Sequence, residues 1–138
     1  MPRKCKDPGG FIIPIKIKNQ PFNALCDLGA SASLFPLSIW NELDLGELNP
    51  AKMRLGMADG SFTTPSGSAE NVLIKLNKFY IPKDFIIADV RVDPEAPFLL
   101  GRPFLATVGA KIDVKRGHMT FDILGEELEF IIEDDKLS

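Results

Sequence analysis

Ala24-Leu25-Cys26-Asp27-Leu28-Gly29-Ala30-Ser31 is the most informative stretch of the chain. An apolar run leads inward and stops at a carboxylate, and a glycine and two small residues follow. A strand that ends this way delivers a carboxylate to a point where another backbone can come close, because glycine has no side chain to obstruct it. Taken alone, Asp-x-Gly is an ordinary turn, since both residues favour turns. Leu99-Leu100-Gly101-Arg102-Pro103-Phe104-Leu105 gives it more weight. Two leucines there end a buried strand, Gly101 permits close backbone contact, and Pro103 sits in the first turn of a short helix ending near Gly109.

Outward from these stretches the pattern is that of short strands. Phe11, Ile13, Ile15 and Ile17 alternate with Ile12, Pro14, Lys16 and Lys18, a period of two that marks one buried face. Pro14 argues for an edge or a bulge. Asn19-Gln20 reads as a turn into a second strand, Phe22 to Cys26, that leads to Asp27. Ser33-Leu34-Phe35 is short and apolar, and Pro36 opens a short helix through Leu43. Lys52 to Ala58 and Ser61 to Thr64 flank Asp59-Gly60, a hairpin signal. Val72, Ile74 and Leu76 alternate, then turn at Asn77-Lys78 into Phe79, Ile81, Phe85 and Ile87. Lys111 to Val114 and Met119 to Ile123 form a hairpin around Arg116-Gly117, and Glu127 to Ile132 is a last strand. About nine or ten strands and two short helices, with frequent turns, point to an all-β barrel or sandwich. The expected organisation is a loose arm over 1–9, one domain over 10–132 and an acidic tail over 133–138.

Composition bounds the function. The chain has 138 residues, 45% hydrophobic and 25% charged, as in ordinary soluble domains with one core. No apolar run reaches the length of a membrane span and no signal peptide opens the chain, so no membrane is expected. A net charge of −3 gives no electrostatic case for nucleic acid. The basic start (Arg3, Lys4, Lys6) and the acidic end (Asp122 to Asp135) read as solvated surface. Two cysteines, Cys5 and Cys26, and one histidine, His118, cannot fill a four-ligand zinc site, and neither metal nor cofactor is expected. Both thiols are expected to be free in a reducing compartment. A cysteine nucleophile would need Cys26 beside His118, and His118 reads as part of an exposed turn.

These residues resemble the retropepsin family of aspartic proteases, in particular the protease segment in polyproteins of plant gypsy-type LTR retrotransposons. Four stretches carry the resemblance in the family's order: Lys6-Asp7-Pro8-Gly9-Gly10-Phe11, the Asp27 loop, Met57-Ala58-Asp59-Gly60-Ser61, and Leu99 to Leu105. It spans roughly residues 6 to 123, and its specific part is the loop followed by Leu-Leu-Gly-Arg about 70 residues later. The resemblance implies a closed all-β barrel with one or two short helices that is active as a two-fold homodimer. It implies an endopeptidase acting on a polypeptide, in the cytoplasm or within retroelement particles. Asp27 would be the catalytic carboxylate. Gly29, Ala30 and Ser31 would contact substrate, and Asp59, Gly60 and Ser61 would form a flap tip closing over it. Leu99, Leu100 and Gly101 would pack beneath the loop.

The chemistry of such a site is two carboxylates sharing one proton, which need no metal and no covalent intermediate. This chain has one Asp-x-Gly-Ala-Ser, so the second carboxylate must come from a second copy, which a C2 dimer supplies. Terminal residues Leu128, Phe130, Ile131 and Ile132 are candidates for the dimer contact, unless that strand only closes its own sheet. Leu28 departs from the family, which carries Thr or Ser there to hydrogen-bond across the axis; leucine cannot. That leaves a second expectation, a weak or inactive module that binds or dimerises, and a third, a domesticated domain of a host protein.

Overall fold

The computed structural model describes residues 3–4, 10–27, 29–51, 54–56, 62–90, 94–113 and 115–131. Among these residues twelve strands and two helices follow in order: β1 (Arg3–Lys4), β2 (Gly10–Ile17), β3 (Gln20–Asp27), β4 (Leu34–Pro36), α1 (Leu37–Glu42), β5 (Leu55–Gly56), β6 (Phe62–Thr63), β7 (Gly67–Leu76), β8 (Phe79–Ala88), β9 (Phe98–Leu100), α2 (Arg102–Thr107), β10 (Lys111–Asp113), β11 (His118–Ile123) and β12 (Glu126–Ile131). The main sheet runs β1-β2-β3-β9-β4-β8-β7, and β7 returns to β2 through Lys16 and Lys75, so β2 to β7 close a six-stranded barrel. Closure decides between the two architectures the strand pattern allowed. β10-β11-β12 form a separate antiparallel sheet, and β5 pairs β6.

Local sequence explains most of the elements. The β2–β3 turn is Lys18-Asn19, both at positive φ, the geometry of a tight two-residue hairpin. It sits one residue before the turn expected from the sequence, so β3 begins at Gln20. Pro14 is tolerated because, among the described residues, β1 covers β2 only at Phe11 and Ile12 and β7 meets it only at Lys16. Pro36 stands as N-cap of α1, whose Ile39 and Trp40 are buried. The indole Nε1–H of Trp40 donates to the Gly46 carbonyl at 3.0 Å. Lys18 Nζ donates to the Leu43 carbonyl at 2.8 Å and satisfies the end of α1.

Three elements differ from the sequence expectation. β7 extends back to Gly67 through a bulge between Ala69 and Val72, where Asn71 has positive φ and its N–H donates to Asp84 Oδ1 at 3.0 Å. The bulge breaks the alternation, so only the second half was visible as a pattern. His118 lies in β11 opposite Asp113 and Ile131, not in the turn. Part of the expected loose arm, Arg3–Lys4, pairs with β2 at Ile12 and Phe11.

The core fills the barrel with rings. Phe35 meets Phe98 at 4.7 Å, and Trp40 and Phe85 each at 5.3 Å, all edge-to-face. Such pairs add about 0.5–1.5 kcal/mol beyond area burial. A second cluster joins α2 to the small sheet: Phe104 to Phe121, then Phe121 to Phe130 at 5.2 Å. Leu128 and Phe130 thus pack on this chain's own core, and β12 is an edge strand of the small sheet. Ile132 and the side chain of Ile131 lie outside the described residues. Among the described residues no helix is long and apolar enough to cross a membrane.

Candidate active site

Asp27 is the last residue of β3 and pairs with Gly10 at the start of β2. Strand alternation puts Ala24 and Cys26 in the core and Leu25 and Asp27 on the outer face, half-buried. The Gly29 N–H donates to Asp27 Oδ1 at 2.8 Å, and the Ala30 N–H to the Asp27 carbonyl at 3.2 Å. The carboxylate is therefore held by its own loop. A Cβ on Gly29 would lie 3.3 Å from Oδ1, so a side chain there would crowd the acid.

A second chain segment grips the loop. The Arg102 N–H donates to the Ala30 carbonyl at 2.9 Å, and the Gly101 N–H to Ser33 Oγ at 3.2 Å. The Ser33 carbonyl accepts from the Ile86 N–H at 2.9 Å. A Cβ on Gly101 would fall 2.7 Å from the Ala30 carbonyl oxygen and 2.6 Å from that of Ala32, so only glycine fits. Parallel pairing of β3 with β9, Cys26 opposite Leu100, brings the two stretches together. Leu100 is fully buried, whereas Leu99 is half-buried on the outer face.

Register builds a wall beside the carboxylate. Ile12 pairs with Leu25, Leu25 with Leu99, Leu99 with Leu34, and Leu34 with Ile86. All five are half-buried, so an apolar row crosses five strands on the face that carries Asp27. Neither this row nor Ser33 was singled out from the sequence. Ser33 is a buried hydroxyl inside an otherwise apolar approach, a signal that was there to see; the row depends on strand order and was not.

Of the other expected residues, Gly29 and Ser31 are exposed and Ala30 half-buried on the loop. Leu28, Asp59, Gly60 and Ser61 lie outside the described residues. The hairpin beneath the expected flap tip is present as β5 and β6, with Leu55 opposite Thr63 and Gly56 opposite Phe62. Cys26 points into the core, where burial pushes its thiol far above the ordinary range and removes the thiolate a nucleophile needs. His118 Nδ1 lies 3.1 Å from Glu129 Oε1. Neither this contact nor the Lys78–Glu126 ion pair touches the Asp27 loop.

A carboxylate on an open face, fixed by a backbone donor and flanked by apolar side chains, can take a proton from water beside a bound apolar chain. Solved structures share this arrangement of the chain. The retroviral protease-like domain of Ddi1 from Leishmania major matches with a TM-score of 0.62 at 20% identity, over 80% of this chain and 85% of that one. EIAV protease complexed with the inhibitor HBY-793 matches at 0.62 and 24%, over 80% of this chain and 99% of that one. A retropepsin-like aspartic protease from Rickettsia conorii matches at 0.60 and 18%, over 82% and 83%. No protein-family profile and no curated protein matches the chain. The fold is retropepsin-like, that of the aspartic proteases.

Proposed function

We propose that the chain is an aspartic endopeptidase in which Asp27 and the Asp27 of a second copy share one proton across a two-fold axis. The ionised carboxylate takes a proton from water, and the protonated one polarises the peptide carbonyl. The observation that carries this reading is the pinned carboxylate at the end of β3, with Gly29 N–H at 2.8 Å and Gly101 and Arg102 gripping its loop. The apolar row from Ile12 to Ile86 supports an extended peptide with apolar side chains around the scissile bond. Residues 57–61 would close over that peptide and exclude water. The sequence resemblance supports a retroelement polyprotein of the plant gypsy type as substrate, processed in the cytoplasm or in retroelement particles, with residues 10–132 as the folding unit. Leu28, which lacks the hydroxyl of the family pattern, supports a second reading: a weak or inactive module that dimerises.

Asp27→Asn separates these readings. The amide oxygen can still accept from Gly29, so the fold is kept while the proton-transfer group is lost. Cleavage of a polyprotein-junction peptide should vanish, and pepstatin should inhibit the unaltered protein. The rate should be highest at mildly acidic pH, because the pair must hold one proton between two carboxyls. Cleavage by the Asn variant would overturn the assignment. A monomer at every concentration in sedimentation, inhibitor present, would overturn the shared site.

A further inference from the structure

One groove on the molecule lies apart from the Asp27 loop. It holds about 330 Å3, near the lower end for ligand pockets. Its floor is the β2–β3 hairpin at Pro14, Pro21 and Asn23, and its wall is the segment Pro94, Glu95 and Pro97; Phe22 lies between them. Pro14 is the register partner of Asn23, and both are exposed. Pro97 precedes buried Phe98, so it shares the outer face with Asn23.

The groove therefore lies on the same face as Asp27. Asn23 is four residues before Asp27 on one strand, about 13 Å away at roughly 3.3 Å per residue. Leu25, part of the apolar row, stands between them. A peptide leaving the carboxylate along this face crosses the row and reaches the groove with a side chain roughly three to five residues from the scissile bond.

The lining favours one class of side chain. Four proline rings, Pro14, Pro21, Pro94 and Pro97, present flat, rigid apolar surface. Proline loses no rotamer freedom when a ligand is bound. Beneath them the Phe22 ring packs edge-to-face on buried Phe98 at 5.0 Å, on the core side of β3. Asn23 places an amide at the rim, where it can meet a ring N–H or O–H.

We propose that this groove is a remote subsite of the endopeptidase that selects an aromatic side chain, Trp or Tyr, three to five residues from the cleaved bond. The inference rests on the protease reading above for its substrate, and on the shared face and the register for its place. Asn23 is a specificity-determining residue in it.

The test uses peptides with a central Leu-Leu pair and either Trp or Ala at the third, fourth or fifth residue on each side. The Trp:Ala ratio of kcat/KM should reach roughly tenfold or more at one position. It should fall to about one in Asn23→Arg, whose longer side chain fills the groove. Ratios near one at every position, with cleavage intact, overturn the groove and leave the protease reading standing. If no peptide is cleaved, the protease reading fails, and fluorescence titration of the same peptides onto the protein decides the groove. Tighter binding of one Trp peptide, lost in Asn23→Arg, upholds it as a binding site; equal binding of Trp and Ala peptides overturns it.

Discussion

Gly101→Ala tests how the Asp27 loop is held. Gly101 has φ −88° and ψ −171°, extended backbone that alanine adopts freely, so the substitution acts through space alone. The new methyl would sit 2.6 Å from the Ala32 oxygen and 2.7 Å from the Ala30 oxygen, both backbone atoms that cannot rotate away. Ordinary contact begins at 3.4 Å, so the loop must retreat by about 0.8 Å. Two hydrogen bonds stretch with it, Arg102 N–H to Ala30 and Gly101 N–H to Ser33 Oγ. Overpacking of this kind costs about 1–3 kcal/mol of stability. A displacement of about 1 Å at a reacting group costs on the order of a hundredfold in rate, so about 0.8 Å predicts roughly a 40-fold fall. The assay is kcat at saturating peptide, with enough protein to favour the proposed dimer, beside a thermal melt. A variant that melts earlier but keeps its kcat would show that the grip stabilises the fold without positioning the carboxylate. Unchanged values of both would refute the steric reasoning.

Ser33→Ala leaves the buried Gly101 N–H without its acceptor and should cost about 1–3 kcal/mol in denaturant unfolding; Ser33→Thr should restore most of it. If the proposed dimer forms, Leu28→Thr should raise turnover at saturating peptide, because a hydroxyl bond across its axis would be more directional than leucine packing; an equal or slower variant would count against that reading of Leu28. In protein carrying Cys5→Ser, Cys26 should resist a thiol reagent at neutral pH until the chain unfolds, since burial keeps it protonated. The unfolded thiol ionises from its ordinary value of 9.0 while the folded one does not. Stability should therefore decline as pH rises past 9.0, and a flat profile there would count against the buried thiol.

Alternation and turn chemistry made much of this protein legible in the chain itself. Phe11 to Ile17 and Phe79 to Ile87 kept their buried faces, and Pro36 and Pro103 marked short helices. Those signals are local, set by side-chain period and by residues that fix or free φ. The bulge at Asn71 escaped because an inserted residue shifts the period and hides half the strand.

The sequence also pointed to one group for the proposed chemistry, because Asp27 is the one acid in an Asp-x-Gly-Ala-Ser loop, and it named the two stretches that should meet. How they meet was decided only by tertiary structure. Parallel pairing of β3 with β9 set Leu25 beside Leu99, brought Gly101 against the Ala30 and Ala32 carbonyls and turned Ser33 into an acceptor. The same pairing carried Pro97 over Asn23 and made the groove. Residues more than 60 positions apart, such as Ser33 and Gly101 with a separation of 68, leave no periodic trace of their contact. Strand order and register are properties of the closed barrel, fixed by how its whole core packs, and no single stretch encodes them.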